Sequence, residues 1–167
     1  MKQLLCILIC LAVLAPMADA QVEEGDKEIQ VLGYFMSMSG ISMMTVQFTY
    51  GMFIKPNIEI GAGPQITRID TDFTDPETTL SSSFFGRYYF ESTTKYVPYV
   101  GGQWFQYDFT PPEGLGFFDY SFIQVGGGVK YFVNEYIAWD VSANYGFGLG
   151  SGGDGVFLLM GGLSAFF

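Results

Sequence analysis

The chain has 167 residues and a formal net charge of −10, with 17 acidic and 7 basic side chains. Charged residues make up 14% of it and aromatic residues 18%, whereas about 25% of the residues in a soluble domain are charged. This composition is too apolar for an ordinary soluble surface, and the acidic balance excludes nucleic acid as an expected partner, because nucleic-acid-binding domains carry basic stripes.

The first 20 residues have the pattern of a secretory signal peptide. Lys2 supplies a positive charge, residues 4–14 form an unbroken apolar run, and residues 18–20 (Ala-Asp-Ala) fit the small-residue cleavage rule. We therefore expect export and cleavage before Gln21.

The two cysteines, Cys6 and Cys10, lie inside this apolar run. Cleavage would remove both, so the mature chain would contain no disulfide and no thiol chemistry. An uncleaved anchor and a lipoprotein signal are the alternatives, although both cysteines come early and residues 8–9 (Leu-Ile) make a poor lipobox.

Beyond the signal, residues 21–27 form a polar lead-in and residues 28–167 form one predicted domain. No apolar run in this domain approaches the roughly 20 residues that a membrane-spanning helix requires. Apolar-rich segments instead alternate with turn residues. Eight strands are predicted, at residues 28–37, 42–54, 58–69, 81–90, 96–108, 120–133, 136–147 and 155–167.

Several of these segments alternate between apolar and polar residues with a period of two, which is typical of a strand with two different faces. The apolar face of 42–54 contains Met44, Val46, Phe48, Tyr50, Met52 and Ile54, and that of 136–147 contains Ile137, Trp139, Val141, Ala143, Tyr145 and Phe147. In 120–133 the apolar face contains Ile123, Val125, Val129, Tyr131 and Val133. The opposite faces carry Thr, Ser, Asn, Gln and Gly, and the faces of 96–108 are ambiguous.

The connections between the predicted strands alternate in length. Short connections at 55–57, 91–95 and 134–135 alternate with longer ones at 70–79, 109–119 and 148–154, an arrangement that is typical of outer-membrane barrels. The pattern predicts an all-β fold, an eight-stranded antiparallel up-and-down transmembrane β-barrel with its short turns in the periplasm. Because the polar faces carry almost no charge, they suit a narrow interior better than a soluble exterior.

Aromatic residues near the predicted strand ends are expected to form two rims at the membrane interfaces, where Tyr and Trp are favoured. The periplasmic rim would contain Tyr88, Phe90, Tyr96, Tyr131 and Tyr136, and the outer rim would contain Trp104, Phe105, Tyr107, Phe117 and Tyr120.

Residues 96–102 (Tyr-Val-Pro-Tyr-Val-Gly-Gly), residues 126–132 (Gly-Gly-Gly-Val-Lys-Tyr-Phe) and the terminal Phe167 give the chain a family resemblance. Over residues 28–167 it resembles the small OmpA-like or opacity-type outer-membrane β-barrel proteins, which implies a Gram-negative outer-membrane location. The peptidoglycan-binding domain of longer relatives has no counterpart in these residues, so that role is not transferred. The end of the chain resembles the signal read by the outer-membrane assembly machinery, carried here by Phe157, Leu159, Leu163, Ala165 and Phe167.

The residue types of the chain argue against catalysis. There is no histidine, which excludes Ser-His-Asp triads, histidine-based metal sites and the commonest general base. Barrel enzymes that share the expected architecture use a histidine. No phosphate loop, cysteine cluster or nucleotide fingerprint is present, so we expect no enzyme, no metal and no cofactor.

Five charged residues have the parity of the polar faces or start the first strand: Glu28, Glu59, Arg87, Lys130 and Asp140. Each lies near a strand end that we expect on the periplasmic side of the barrel. Because charges in a narrow, poorly hydrated lumen require partners, we predict an interior ion-pair network that fills the barrel. The alternative is that these groups are solvated near the rim.

The predicted outer loops are acidic, with carboxylates at Asp70, Asp72, Asp75, Glu77, Asp108, Glu113, Asp119 and Asp154. Such groups are more often solvated loop surface than a cation site.

The sequence thus favours a non-enzymatic outer-membrane barrel with a structural or surface-interaction role. Its expected partners are outer-membrane lipid, lipopolysaccharide and the assembly machinery. A narrow porin-like channel for small solutes or ions and a soluble periplasmic lipid-binding barrel are the alternatives.

Overall fold

The computed structural model describes residues 23–38, 41–72, 75–106, 121–149 and 155–167. These residues form eight strands: β1 (Lys27–Met38), β2 (Ile41–Lys55), β3 (Ile58–Thr71), β4 (Glu77–Tyr89), β5 (Tyr96–Gln106), β6 (Ser121–Asn134), β7 (Ile137–Gly148) and β8 (Val156–Phe166). Each strand pairs antiparallel with the next, and β1 pairs with β8, so the sheet closes into a barrel. The predicted fold class is confirmed, whereas the predicted signal peptide lies outside the described residues.

The predicted strand bounds agree with the observed ones to within a few residues, and the largest difference is the start of β4. This strand begins at Glu77 instead of residue 81, because residues 77–79 pair with residues 67–69 of β3. The polar sequence Glu-Thr-Thr is typical of a loop, but its backbone pairs with β3 at the end of the barrel opposite the short connections.

Short connections join the strands at the end of the barrel that also carries residues 23–26 and Phe167. Pro56 and Asn57 connect β2 to β3, and Glu135 and Tyr136 connect β6 to β7. The side chain of Asn134 stabilises the second turn, since its Oδ1 accepts hydrogen bonds from the backbone N–H groups of Tyr136 (2.9 Å) and Ile137 (2.8 Å). Asn commonly replaces a backbone acceptor in this way.

The strands alternate between a buried polar face and an exposed apolar face. In β2, Thr45, Gln47 and Thr49 are buried, whereas Met44, Phe48, Tyr50, Met52 and Ile54 are exposed. In β7, Asp140 and Ser142 are buried, whereas Trp139, Val141 and Tyr145 are exposed. In a closed barrel of this size the buried face is the interior, so the polar residues line the lumen and the apolar residues cover the outside.

The outside of the barrel has an uncharged central band. The charged strand residues that are exposed or half-exposed all lie within four residues of a strand end; they are Lys27, Lys55, Arg68, Asp70 and Glu77. Among the residues that the structure describes, no helix is long and apolar enough to cross a membrane.

Two residues differ from their predicted faces. Phe105, predicted at the outer aromatic rim, is fully buried because it pairs with the inward-facing Ser83 of β4. Val133, predicted to face outward, is buried beside a register shift between Phe132 and Asn134.

The neighbouring Trp104 does lie toward the outside, where it stacks on Phe84 with ring centroids 5.6 Å apart. The remaining members of the predicted outer rim, Tyr107, Phe117 and Tyr120, lie outside the described residues.

Candidate functional site

The barrel interior brings together the five charged side chains that the sequence placed there: Glu28, Glu59, Arg87, Lys130 and Asp140. Arg87 is 7% exposed and the other four are at most 1% exposed. Strand register explains part of this clustering, since Glu59 pairs directly with Arg87 and Lys130 pairs directly with Asp140 on adjacent strands. Residues directly opposite on one face of a sheet lie within reach of each other.

Lys130 is the centre of one half of the cluster. Its Nζ donates hydrogen bonds to Oε1 of Glu28 (2.6 Å), Oδ2 of Asp140 (2.8 Å) and Oγ of Ser164 (2.8 Å). An ammonium group has three N–H donors, so every proton of Lys130 has an acceptor.

Arg87 is the centre of the other half. Its Nη1 lies 3.2 Å from Oε2 of Glu59 and 3.8 Å from Oε1 of Glu28, and its Nη2 donates to Oε1 of Gln30 at 2.6 Å. The guanidinium also lies over the ring of Phe85, 4.3 Å from its centroid. Arginine tolerates such a mixed environment because the guanidinium is planar, weakly hydrated and stacks on aromatic faces.

Neutral side chains complete the network, and sequence reasoning did not single them out. The hydroxyl of Tyr89 donates to Oε2 of Glu59 (2.7 Å), and that of Tyr99 donates to Oδ1 of Asp140 (2.8 Å). Gln30 bridges the two halves, because its Nε2 also donates to Oδ2 of Asp140 at 2.8 Å. The alternation of residues in β4 predicts that Tyr89 faces inward, on the same face as Arg87. Tyr99 could not be placed in this way, because it lies in β5, whose two faces are both apolar in sequence.

A cluster of apolar and aromatic side chains lies in the lumen next to the charges. We call it the ring cluster; its members are Phe53, Tyr89, Val97, Tyr99, Phe132, Ala138 and Phe166. The ring centroids of Phe53 and Tyr89 are 5.2 Å apart and those of Phe132 and Phe166 are 5.0 Å apart. Most of these residues lie at the strand ends beside the short connections, so the cluster fills part of the interior at that end of the barrel.

The rest of the described interior is lined mainly by amides and hydroxyls. Gln47 Nε2 donates to Ser83 Oγ at 3.2 Å, and the hydroxyls of Thr45 and Thr67 are 3.1 Å apart. A cavity of about 20 Å³ is lined by Arg87, among other groups. Such a volume accommodates one or two water molecules.

Inward-facing glycines make room for large side chains of neighbouring strands. A Cβ atom at Gly128 would lie 2.7 Å from Oη of Tyr99 and 2.6 Å from the carbonyl oxygen of Val141. The same relation joins Gly51 to Glu59 and Gly101 to Arg87. Gly128 lies directly opposite Tyr99, and Gly101 lies directly opposite Arg87. These pairs depend on the register between neighbouring strands, which is not visible in the sequence of one strand.

The predicted assembly-signal residues lie on the outside of β8 and at its end. Phe157, Leu159, Ala165 and Phe167 are exposed, and Leu163 is half-buried. The backbone of Phe167 exchanges two hydrogen bonds of 3.0 Å with Lys27 at the closing seam. The role of these residues in assembly stays a prediction.

The acidic outer loops give no metal centre within the described part of the chain, where no three ligating side chains are grouped to hold an ion. Arg68 pairs with Asp70 at 3.1 Å on the surface. The carboxylates of Asp108, Glu113, Asp119 and Asp154 lie outside the described residues.

Comparisons with known proteins agree with this architecture. A scan against protein-family models finds no match, and a search of curated proteins finds none either. Among solved structures, the N-terminal β-barrel domain of Pseudomonas aeruginosa OprF is 17% identical, with a TM-score of 0.60 over 86% of this chain and 98% of that chain. The outer membrane protein OprG from Pseudomonas aeruginosa is 10% identical, with a TM-score of 0.54 over 90% of this chain and 99% of that chain.

We predict that Lys130→Met destabilises the barrel by about 3–5 kcal/mol, because the substitution leaves the buried carboxylates of Glu28 and Asp140 without their cation. Denaturant unfolding of the barrel in detergent measures the change. Lys55→Met, at an exposed lysine beside a turn, is the matched control and should change stability by less than about 0.5 kcal/mol. Equal stability of the two variants would contradict a network that holds the interior together.

We predict that Gly128→Ala destabilises the barrel by about 1–3 kcal/mol, since the added methyl displaces the Tyr99 ring from Asp140. Gly102→Ala is the control, because its Cβ would have no neighbour closer than 3.6 Å. Thermal melting of both variants in detergent tests the prediction, which fails if they melt at the same temperature.

The OprF barrel domain and OprG are each less than 25% identical to this chain, so their similarity to it concerns the fold alone. It confirms the fold that the family resemblance implied: the chain has the closed eight-stranded barrel fold of small outer-membrane proteins.

Proposed function

We propose that this chain is a non-enzymatic outer-membrane β-barrel protein with a structural or surface-interaction role and a lumen filled by side chains. The observation that carries the proposal is the polarity of the barrel. Exposed apolar side chains such as Phe48, Val141 and Leu159 cover its middle, whereas charged and amide side chains lie inside. A lipid bilayer favours this arrangement, since an outward apolar band matches the hydrocarbon region.

The same polarity argues against a soluble periplasmic barrel that binds a lipid. Such a barrel would need an apolar interior to hold the acyl chains and a polar exterior to face water. Here Lys130, Glu59 and Gln47 are fully buried while many large apolar residues are exposed.

The proposed orientation places the short turns and the ring cluster in the periplasm. Outer-membrane barrels have short periplasmic turns and longer outer loops, and the connection from β5 to β6 is the longest in this chain. Outer-membrane lipid and lipopolysaccharide would then contact the apolar band. The assembly machinery would recognise the end of β8 with Phe157 and Phe167.

A non-enzymatic role fits the chemistry of the interior groups. The chain has no histidine, and the buried carboxylates of Glu59 and Asp140 accept hydrogen bonds from protein groups. We therefore assign these groups to the stability of the barrel and assign no reaction to them.

A narrow channel for small solutes or ions is the second candidate, and the small polar cavity in the lumen favours it. Its lining includes Gln103, Gln124 and Asn144. The ion pairs and the ring cluster oppose conduction, because a hydrated ion would have to displace buried, mutually bonded charges.

Reconstitution into planar bilayers distinguishes the two candidates. The filled barrel predicts little or no conductance at neutral pH, even in concentrated salt. Frequent, long-lived conducting events would favour the channel instead. The same preparation should require detergent for extraction from the envelope and should migrate on gels in a heat-modifiable manner; extraction into buffer without detergent would contradict the membrane location.

We predict that Val141→Arg lowers the stability of the barrel in lipid vesicles by about 2–4 kcal/mol, because it places a cation in the apolar band. Thr93→Arg, in the exposed connection between β4 and β5, is the control and should be nearly neutral. Urea titration of both variants in vesicles measures the difference. If Val141→Arg were as stable as the control, the band would not face hydrocarbon.

A further inference from the structure

The charges of the interior network do not balance. Three carboxylates, Glu28, Glu59 and Asp140, face two cations, Arg87 and Lys130, and four of the five side chains are at most 1% exposed. An uncompensated charge costs several kcal/mol in a poorly hydrated interior. The excess negative charge therefore needs a partner that the side chains themselves do not supply.

Both oxygens of the Asp140 carboxylate already have hydrogen-bond donors. Its Oδ1 accepts a hydrogen bond from Tyr99 Oη, and its Oδ2 accepts bonds from Lys130 Nζ and Gln30 Nε2. All three donors of Lys130 are in use. The excess charge is thus not at Asp140, whose ionised form satisfies every donor that points at it.

The excess negative charge lies at the two glutamates, Glu28 and Glu59. Oε2 of Glu28 and Oε1 of Glu59 are buried and have no hydrogen-bond partner among the described residues. Both side chains reach the same guanidinium nitrogen, Nη1 of Arg87, which lies 3.8 Å from Oε1 of Glu28 and 3.2 Å from Oε2 of Glu59. Two carboxylates beside one buried cation repel each other, so ionisation of one disfavours ionisation of the other.

We infer that the interior network binds one additional proton, shared between Glu28 and Glu59. With this proton the network contains two negative and two positive charges, and one of the two unpartnered oxygens becomes a donor instead of an unsatisfied acceptor. This inference rests on the interior geometry alone and does not require the proposed function.

The other titratable groups facing the pair are already accounted for among the described residues. Tyr89 donates to Glu59 and Tyr99 donates to Asp140, so both hydroxyls are used as neutral donors. The inward faces of β2 and β8 present Thr49, Gly51, Phe53, Ser164 and Phe166 near the pair, and none of these side chains carries a charge.

The pH dependence of stability tests the shared proton. Glutamates of the unfolded chain are ionised above about pH 5, since their pKa is about 4.3. Folding of the wild-type barrel therefore takes up one proton, and stability decreases as the pH rises. Its unfolding constant should increase by up to about tenfold per pH unit, until the folded barrel releases the proton.

Glu59→Gln replaces the protonated carboxyl by a neutral amide of the same shape. We expect this variant to fold and to lose the tenfold dependence between about pH 5 and the pH of release. Glu28→Gln should also lose this pH dependence, and it replaces Glu59→Gln in the experiment if Glu59→Gln does not fold. Glu77→Gln, at an exposed carboxylate at the start of β4, is the matched control; it leaves the interior charges unchanged, so it should retain the dependence.

Infrared spectroscopy of the folded wild-type barrel at neutral pH gives a second, direct readout. We expect the carbonyl stretch of one protonated carboxylic acid, which Glu59→Gln or Glu28→Gln removes and the control Glu77→Gln retains. The inference is overturned if the wild type lacks this band, or if Glu59→Gln and Glu28→Gln show the same pH dependence as the wild type.

Discussion

The width of the lumen is the constraint on which the rest of this structure depends. Eight strands enclose a space just wide enough for the side chains that line it, so each inward residue determines which residue its neighbours can be. Tyr99 requires Gly128 opposite, and Arg87 requires Gly101. The same narrowness limits the hydration of the interior charges, and all three N–H donors of Lys130 are directed to protein groups.

The barrel reverses the usual relation between burial and hydrophobicity, and this reversal changes which interactions specify the fold. Among the described residues the ring cluster contains seven of the thirteen buried apolar or aromatic side chains, while hydrogen bonds and ion pairs connect strands across much of the rest of the interior. A register slip of one residue would turn Glu59 or Lys130 toward the outside. Because a charge there would lose all its partners, the polar interior penalises wrong registers more strongly than an apolar interior would.

The alternation of residue types predicted much of the fold and part of the site. It was sufficient for the eight strands and for the inward faces of Glu59, Arg87, Lys130 and Asp140, because side-chain direction in a strand depends only on parity. It did not resolve β5, in which Val97 and Tyr99 face inward while Pro98 and Val100 face outward. All four are apolar or aromatic, so no polarity contrast distinguishes the two faces.

The sequence also does not predict the contacts between strands on opposite sides of the lumen. Gln30 of β1 joins Arg87 of β4 to Asp140 of β7, and these contacts depend on the stagger of the closed sheet. Phe105 shows the same limitation, since an aromatic residue near a strand end fits either an interfacial rim or a packed interior. Only the pairing with Ser83 decides between them.

The sequence distances within the network suggest an order to its formation. Lys130 and Asp140 are 10 residues apart and Glu59 and Arg87 are 28 apart, each pair on neighbouring strands, whereas Glu28 and Lys130 are 102 residues apart. Two hairpins can therefore neutralise their own charges as soon as they form, because local contacts close quickly. Glu28 meets Lys130 only when the first strand joins the last, so the final electrostatic contact of the interior is made by closure of the seam itself.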